Sequence, residues 1–529
     1  MNLFIVAAGL GTRVSPFTHQ CIPKFLINLD QHSGLYHMLD FWKDYVSDIF
    51  IILHPSFEQV TDFYIETFFP HLNVTYLFYE ESDGTAFTIQ KSIEKCKNLL
   101  TTKETIITWC DLYPSPQKIP FDQFQDEMTI LTFGDKCRYI WDGEKIRNVG
   151  KTGGNIVGIY HFKDYKILLE MSVERGKDLI ECVADLKIGN YELDSLVDFG
   201  DEDKLYEIYE KQEKKTNCRH FNQITISEKG NLMKRAMTEQ GIDIMKKEAN
   251  WYRFLCNHPF NEDFDLPIPK IRALQPEYMI MEYLKEYEPL YIHLNKLQPK
   301  ELEDILHKLM GEVKILHSIE TKEVDNISFL TNLKYEIHDK IVERMAKIQN
   351  LINSFPKIEY VNGVKIHSFH LILQRVKDIL MEDYKKQEKN GKYTYHFIHG
   401  DLNFSNIMIH PNSHLIKFID PRGYFGKSLL LGPKEYDESK VLYAISGYDG
   451  FNQDPSFHPL QFDKKEKSIT FQMKGYPVSK TFLEKYFKKI HFAYLTIIWL
   501  GLAEYNKNNF WKCICSYYQG LYIGTKYLF

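Results

Sequence analysis

The alternation of short β-rich runs with helix-like segments over about the first 210 residues constrains this chain more than any other feature. LFIVAAG, DIFIILH, VTYLFYE and ETIITWCD are brief and apolar, and stretches such as AFTIQKSIEKCKNLL lie between them. That pattern predicts an α/β domain with a largely parallel sheet, whose strand ends are the places to look for a site. The pattern then stops. The charged segment KLYEIYEKQEKKTNCRH, residues 204–220, leads out of it, and the boundary is expected near residue 215. Beyond it, FNQITISEKGNLMKRAM reads as two strands joined by a turn at Lys229-Gly230, followed by a helix through MKKEANWYRFL. From about residue 290 long helical periodicities dominate, as in KELEDILHKLMGEVKILHSI, LKYEIHDKIVERMAKIQNLI and FHLILQRVKDILMEDYKK. One β-like island, YHFIHGDLNFSNIMIHPNSHLIKFIDPRG, interrupts them.

At 529 residues the chain exceeds what one core usually supports, which predicts residues 1–215 as one domain and 216–529 as a second, divided into a small lobe (216–288) and a helical large lobe (289–529). A formal net charge of −6 offers no basic field to a nucleic-acid backbone, so phosphate binding has to come from local loops. Nine cysteines without metal-ligand spacing suit a reducing compartment. The N-terminus lacks the basic, apolar and cleavage regions of a secretion signal, and the apolar stretch Phe492 to Ala503 is only 12 residues long, shorter than a bilayer span. The expectation is a cytoplasmic protein with small-molecule partners, no nucleic acid and no membrane; oligomeric state is left open.

Two stretches carry chemistry. In the first, an apolar strand runs into Ala7-Ala8-Gly9-Leu10-Gly11-Thr12-Arg13, where two glycines let backbone N–H groups curl against phosphate oxygens. Arg13 and Lys24 add fixed positive charge, which nucleotidyl transfer needs as negative charge builds on the α-phosphate. A Gly-x-Gly alone also makes plain turns. The full string Gly-x-Gly-Thr-Arg…Pro-x-Thr…Pro-Lys-x-Leu, with Gly9, Gly11, Thr12, Arg13, Pro16, Thr18, Pro23, Lys24 and Leu26 in step, resembles the sugar-1-phosphate nucleotidyltransferase family. The resemblance implies a Rossmann-like, GT-A-like fold with Arg13 and Lys24 as catalytic cations. It implies nucleotide contacts from Ala8, Gly9, Gly11 and Thr12, and from Gly84 and Thr85 at the start of a helix. Asp111, after ETIITWCD, and Asp198, in Val-Asp-Phe-Gly-Asp, would bind Mg²⁺. Gly153-Gly154-Asn155 and Lys151 stand where relatives meet the sugar phosphate. The family's Glu-Lys-Pro pattern is absent, which puts the acceptor in doubt.

In the second stretch, His399-Gly400-Asp401-Leu402-Asn403-Phe404-Ser405-Asn406 and Phe418-Ile419-Asp420 have the spacing of a phosphotransferase catalytic loop and metal strand. Asp401 can take or orient the proton of an attacking hydroxyl, and Asn406 and Asp420 can supply oxygen to Mg²⁺ on ATP. The spacing resembles the aminoglycoside phosphotransferase and choline kinase superfamily, which implies a bilobal protein-kinase-like α+β fold. On that resemblance Lys234 grips the ATP phosphates, with Arg235 as rival, Glu248 pairs with it, and the stretch Tyr278 to Leu284, with Glu282, forms the adenine hinge. Arg422 and Asp437 read as structural neighbours of the loop. The aromatic tail (Trp499, Tyr505, Trp511, Tyr517, Tyr518, Tyr522) reads better as core than as a cage for a quaternary ammonium.

Together the two resemblances imply a fusion in which a kinase phosphorylates a sugar, polyol or choline-like alcohol with ATP, and a nucleotidyltransferase couples that phosphate to an NMP from CTP, UTP, GTP or dTTP, for surface-glycan precursors. Choline kinase with phosphocholine cytidylyltransferase is the competing enzyme reading, and a non-catalytic nucleotide-binding regulator is the other.

Overall fold

A computed structural model describes residues 1–80, 83–114, 118–150, 153–183, 186–212, 222–227, 230–258 and 266–529. The expected boundary at residue 215, Lys151 and Lys229 lie outside the described residues. The chain divides into two compact units: Met1–Lys214 with Gln349–Lys357 and Lys507–Trp511, and Lys215–Ile348 with Ile358–Asn506 and Lys512–Phe529.

The first unit is built on a seven-stranded sheet. Its strands in chain order are β1 (Asn2–Ala7), β2 (Asp48–Leu53), β3 (Val74–Phe78), β4 (Thr105–Trp109), β6 (Met128–Cys137), β9 (Gly154–Phe162) and β10 (Ile188–Glu192), and the spatial order is β10-β6-β9-β4-β1-β2-β3. Four of its strands, β4-β1-β2-β3, are parallel, as are β6 and β10, while β9 runs against both of its neighbours. Outside the sheet, β5 (Leu112–Pro114) pairs with β11 (Leu196–Asp198), and β7 (Tyr139–Trp141) with β8 (Ile146–Asn148). β2 is covered on both faces, all six of its residues being buried, which is why DIFIIL reads as an unbroken apolar run. Each fully buried Ile, Leu or Phe there stabilises the fold by roughly 1.5–3 kcal/mol. Trp511, from the aromatic tail, is buried in this unit and its indole N–H donates to the Phe17 carbonyl.

The second unit opens with an antiparallel sheet in the order β12-β13-β15-β14, formed by β12 (Asn222–Ile226), β13 (Asn231–Ala236), β14 (Ile271–Leu274) and β15 (Tyr278–Glu282). The helix Glu239–Asn257 packs on it, its Thr238 hydroxyl capping the Gly241 N–H. Helices Pro299–Ser318, Phe369–Gln387, Lys434–Ile445 and Lys489–Tyr505 follow, and the β-like island becomes strands Lys392–Phe397, Ile407–Ile409 and Ile416–Phe418. Trp499 and Tyr518 are buried, as core packing predicts, whereas Tyr505 is exposed.

One helical expectation needs correcting. LKYEIHDKIVERMAKIQNLI is not continuous: a helix Asn326–Leu333 passes through a π-turn, Lys334–Asp339, into the short helices Lys340–Lys347 and Gln349–Ser354. The wider turn carries both Glu336 and Ile337 inward, where 3.6-residue spacing alone gives no reason to bury a glutamate. No described helix is long and apolar enough to cross a membrane.

Candidate functional sites

In the first unit β1 delivers the chain to an open turn. Gly11 is left-handed, at φ 68°, and its carbonyl accepts the Val14 N–H at 3.1 Å, starting the tight turn Thr12–Val14. Thr18, fully buried, braces that turn with its hydroxyl on the Gly11 and Val14 carbonyls. Gly9, Thr12 and Arg13 are exposed, Ala8 is half-buried, and a side chain at Gly9 would meet nothing within 4 Å. The loop therefore presents open backbone, with its own geometry fixed from below.

Beside it Lys24, 7% exposed, donates to Asp111 Oδ2 at 2.7 Å and to the Gly200 carbonyl at 2.9 Å. The antiparallel β5–β11 pair sets Asp198 opposite Leu112, the residue after Asp111, and so brings together carboxylates 87 positions apart. A Cβ at Gly200 would lie 3.0 Å from both Asp111 Oδ2 and Asp198 Oδ1, so the two acids converge over a position that only glycine leaves clear. Burial, and then the Asp111 carboxylate, push the Asp198 carboxyl up. Lys204, which the sequence reading missed, answers with an ion pair to Asp198 Oδ2 at 2.7 Å.

Two converging carboxylates fit a hard divalent cation that takes its remaining oxygens from phosphate and water. No group of three such protein ligands occurs among the described residues, so the ion would be held jointly with a substrate.

Gly84 and Thr85 do begin a helix, Thr85–Cys96, but their contacts run elsewhere. The Thr85 hydroxyl bonds Asp178 and the Leu179 N–H, and a Cβ at Gly84 would strike the Gly176–Lys177 backbone at 2.8 Å. Asn155 caps the Trp141 N–H at 2.9 Å and, with Trp141, Thr132, Asn190 and Glu192, lines a polar cavity of about 250 Å³.

In the second unit Lys234 rises from β13 with its ammonium 2.8 Å from Glu248 on the following helix and 2.8 Å from Asp420, 186 residues later. Burial would lower this ammonium's pKa, but Asp420 and Glu248 reverse that and raise it. Burial pushes Glu248 up to about 7, and the neighbouring Asp420 adds to that, against the pull of Lys234. Register places Ile224 and Met279 beside Lys234, and Ile226 beside Leu232, on one face of the sheet. Ile224 and Ile226 stay exposed there, an apolar bed next to the lysine. Arg235 points the other way and is exposed. Glu282 has its N–H on the Lys270 carbonyl and its carboxylate Oε2 on the Lys270 N–H.

The loop carrying Asp401 is clamped at both ends. Asp437, fully buried, accepts the His399 and Gly400 N–H groups and faces His317 at 3.1 Å. Asp449, 1% exposed, accepts the Phe404 and Ser405 N–H groups at 3.0 and 2.8 Å, and burial pushes its carboxyl up to about 6. Asn406 spends its amide nitrogen on Asp401, at 3.0 Å to the carbonyl and 3.3 Å to the carboxylate, so its amide oxygen is not the atom that holds it to Asp401. Asp420 sits at φ 54°, a costly conformation for a non-glycine residue, held half-exposed at the end of its strand. Asn406, whose backbone carbonyl accepts the Ile419 N–H at 3.0 Å, lies next to the Asp420 turn, and the two are the oxygen donors here that could hold a phosphate-bound divalent cation. Lys440, from the helix Lys434–Ile445, reaches Asp401 Oδ1 at 3.1 Å.

Arg422 is less passive than the sequence suggests. It donates to the Tyr436 hydroxyl and, at 2.8 Å, to Glu336 on the π-turn, which also holds Lys340 at 2.6 Å. Burial would raise the Glu336 carboxyl, but Arg422 and Lys340 bring it down to about 2. A depressed carboxyl contributes stability that is complete above its unfolded pKa, near 4.5, and is lost as pH falls toward 2. Wild type is therefore expected to exceed Glu336→Gln by about 3 kcal/mol at pH 7, and by about 1 kcal/mol less at pH 4, in denaturant titrations at the two pH values.

No protein-family model matches this chain, and no curated protein matches it. Solved structures resemble its N-terminal two-fifths. HddC from Yersinia pseudotuberculosis is 19% identical, covering 40% of this chain and 98% of its own, at a TM-score of 0.32. A putative glucose-1-phosphate thymidylyltransferase from Bacillus anthracis is 18% identical over 41% and 98%, at 0.34. The CTP:phosphocholine cytidylyltransferase of Streptococcus pneumoniae is 18% identical over 40% and 98%, at 0.31.

Proposed function

We propose that the chain is a bifunctional enzyme: a small-molecule kinase in the second unit makes a phosphorylated alcohol from ATP, and a nucleotidyltransferase in the first unit couples that phosphate to an NMP with release of pyrophosphate. The observation that carries the reading is the Lys234 ammonium shared at 2.8 Å by Glu248 and Asp420, beside a clamped loop that presents Asp401. A lysine held between two carboxylates from distant parts of the chain, next to a clamped loop, is the arrangement that phosphate and a phosphate-bound cation need in phosphoryl transfer.

In the kinase, Lys234 takes the α and β phosphates and the bed of Ile224 and Ile226 receives the base. Asp401 orients the acceptor hydroxyl and takes its proton as the oxygen attacks the γ-phosphorus. Asp420 and the Asn406 oxygen would hold a Mg²⁺, which would supply charge neutralisation on the phosphates. In the nucleotidyltransferase, the open turn from Gly9 to Arg13 receives the triphosphate, and Lys24 and Arg13 stabilise the charge that gathers as the phosphorylated acceptor attacks the α-phosphorus. Asp111 and Asp198 would hold a second Mg²⁺, which would supply charge neutralisation there. The Asn155 cavity, lined by Asn190, Glu192 and Thr132, supports a polyol at this step, because those groups accept and donate hydroxyl hydrogen bonds.

The test is a screen of the full chain with MgATP and sugars, polyols or choline, followed by each NTP, reading ADP, pyrophosphate and product mass. A CDP-choline product would replace the polyol by choline; loss of neither signal on mutation would leave only a nucleotide-binding protein. Asp111→Asn should lower pyrophosphate release by about 10²-fold or more and leave ADP formation unchanged, because the two chemistries use separate acids.

A further inference from the structure

The acceptor hydroxyl of the kinase must come to Asp401, so the side chains around Asp401 decide what else the acceptor can carry. Lys440 lies 3.1 Å from Asp401. Arg422 borders Gly400, where a Cβ would come within 3.1 Å of the arginine Cβ, and continues to Glu336 and Lys340. Arg344, on the same helix as Lys340, adds a fourth cation, held by the Gly501 carbonyl at 2.7 Å. At Lys340 itself cations outnumber acids among the nearest described partners: Glu336 is shared with Arg422, and Arg422 and Arg344 both disfavour the Lys340 charge. Excess positive charge held away from water is costly unless an anion joins it.

The aromatic rings tell the same story. Arg422 lies 4.0 Å from the Tyr424 ring centre and Lys247 4.8 Å from it, while Lys440 lies 5.9 Å from Tyr436 and 5.5 Å from Tyr443. Rings that would cage a quaternary ammonium are already engaged by the protein's own cations, which also repel one.

The geometry points to an acceptor that is a polyhydroxy compound bearing an anionic group, carboxylate or phosphate, bound at Lys340 with its reacting hydroxyl at Asp401. Lys340 is the receptive cation of the set: its side chain is 23% exposed, against 15% for Arg422 and 12% for Lys440. Burial and the neighbouring Arg422 lower its ammonium to about 7, a shift that an arriving anion would reverse. Glu336 Oε2, buried and without a hydrogen-bond partner, is an acceptor for one of the compound's other hydroxyls.

This inference rests on the kinase reading, which fails by itself if Asp401→Asn leaves ADP release unaltered. Its own test is thermal unfolding of the full chain with Mg²⁺ and a non-hydrolysable ATP analogue, at fixed ionic strength, with sorbitol, gluconate, sorbitol 6-phosphate or choline added. Gluconate or sorbitol 6-phosphate should raise the transition by about 2 °C or more over sorbitol and choline, and the one that does so tells carboxylate from phosphate. The half-saturating concentration of that compound should rise about tenfold in Lys340→Gln and return in Lys340→Arg. An equal or larger shift with sorbitol or choline, no shift with either anion, or a shift undiminished in Lys340→Gln would overturn the proposal.

Discussion

Asp401→Asn is expected to cut ADP formation by about 10³-fold while pyrophosphate release from a supplied phosphorylated acceptor continues at the wild-type rate. The substitution keeps size and shape. It removes the charge that takes the hydroxyl proton and the partner of Lys440, 3.1 Å away. The loop itself should hold, because its conformation is fixed by Asp437 at the His399–Gly400 end and by Asp449 at the Phe404–Ser405 end, neither of which is touched. An unchanged denaturation midpoint with a collapsed kcat would therefore place the effect in chemistry. Equal ADP formation by mutant and wild type would remove Asp401 from the reaction and with it the kinase reading.

Much of this was legible in the sequence wherever the residues that cooperate are neighbours in the chain. The turn from Gly9 to Arg13 follows from a strand, two glycines and a cation in a row, and the small sheet's Lys234 and Glu248 from a strand followed by one amphipathic helix. Contacts made across the fold left no local trace. Lys204 is one more charge in an acidic helix start until the β5–β11 pair brings Asp198 to it. Asp449 and Lys440 lie in segments that carry no motif, and only their geometry connects them to the loop. Glu336 is hidden by a π-turn, because spacing rules assume 3.6 residues per turn and place it on a solvent face. Gly84 and Thr85 are a different case: they do start a helix, and the Thr85 hydroxyl is engaged by the Asp178 turn, a contact that the motif does not announce.

The four principal lysines share one arrangement. Lys24 rests on Asp111, Lys204 on Asp198, Lys234 on Glu248 and Asp420, and Lys440 on Asp401. In each, the ammonium lies within 3.1 Å of a carboxylate. Such pairing keeps both charges partnered within the protein, where an unpaired buried charge would be costly.

Lys234→Met tests that arrangement where it is most buried. Removing the ammonium strands Glu248, 2% exposed, whose Oε1 already lacks a partner. Breaking a buried pair from one side typically costs about 3–5 kcal/mol; Glu248, its carboxyl already pushed up to about 7, can take a proton, which holds the expected loss near 3 kcal/mol. Kinase turnover should fall by about 10²-fold or more, since ATP phosphates lose their fixed cation. The double variant Lys234→Met/Glu248→Leu separates the two effects. With both partners apolar, denaturant titration should show at least half of the lost stability restored, while ADP formation stays as low as in the single variant. Recovery of turnover together with stability would mean that Lys234 only holds the small lobe together, and the phosphate-gripping role would have to be given up.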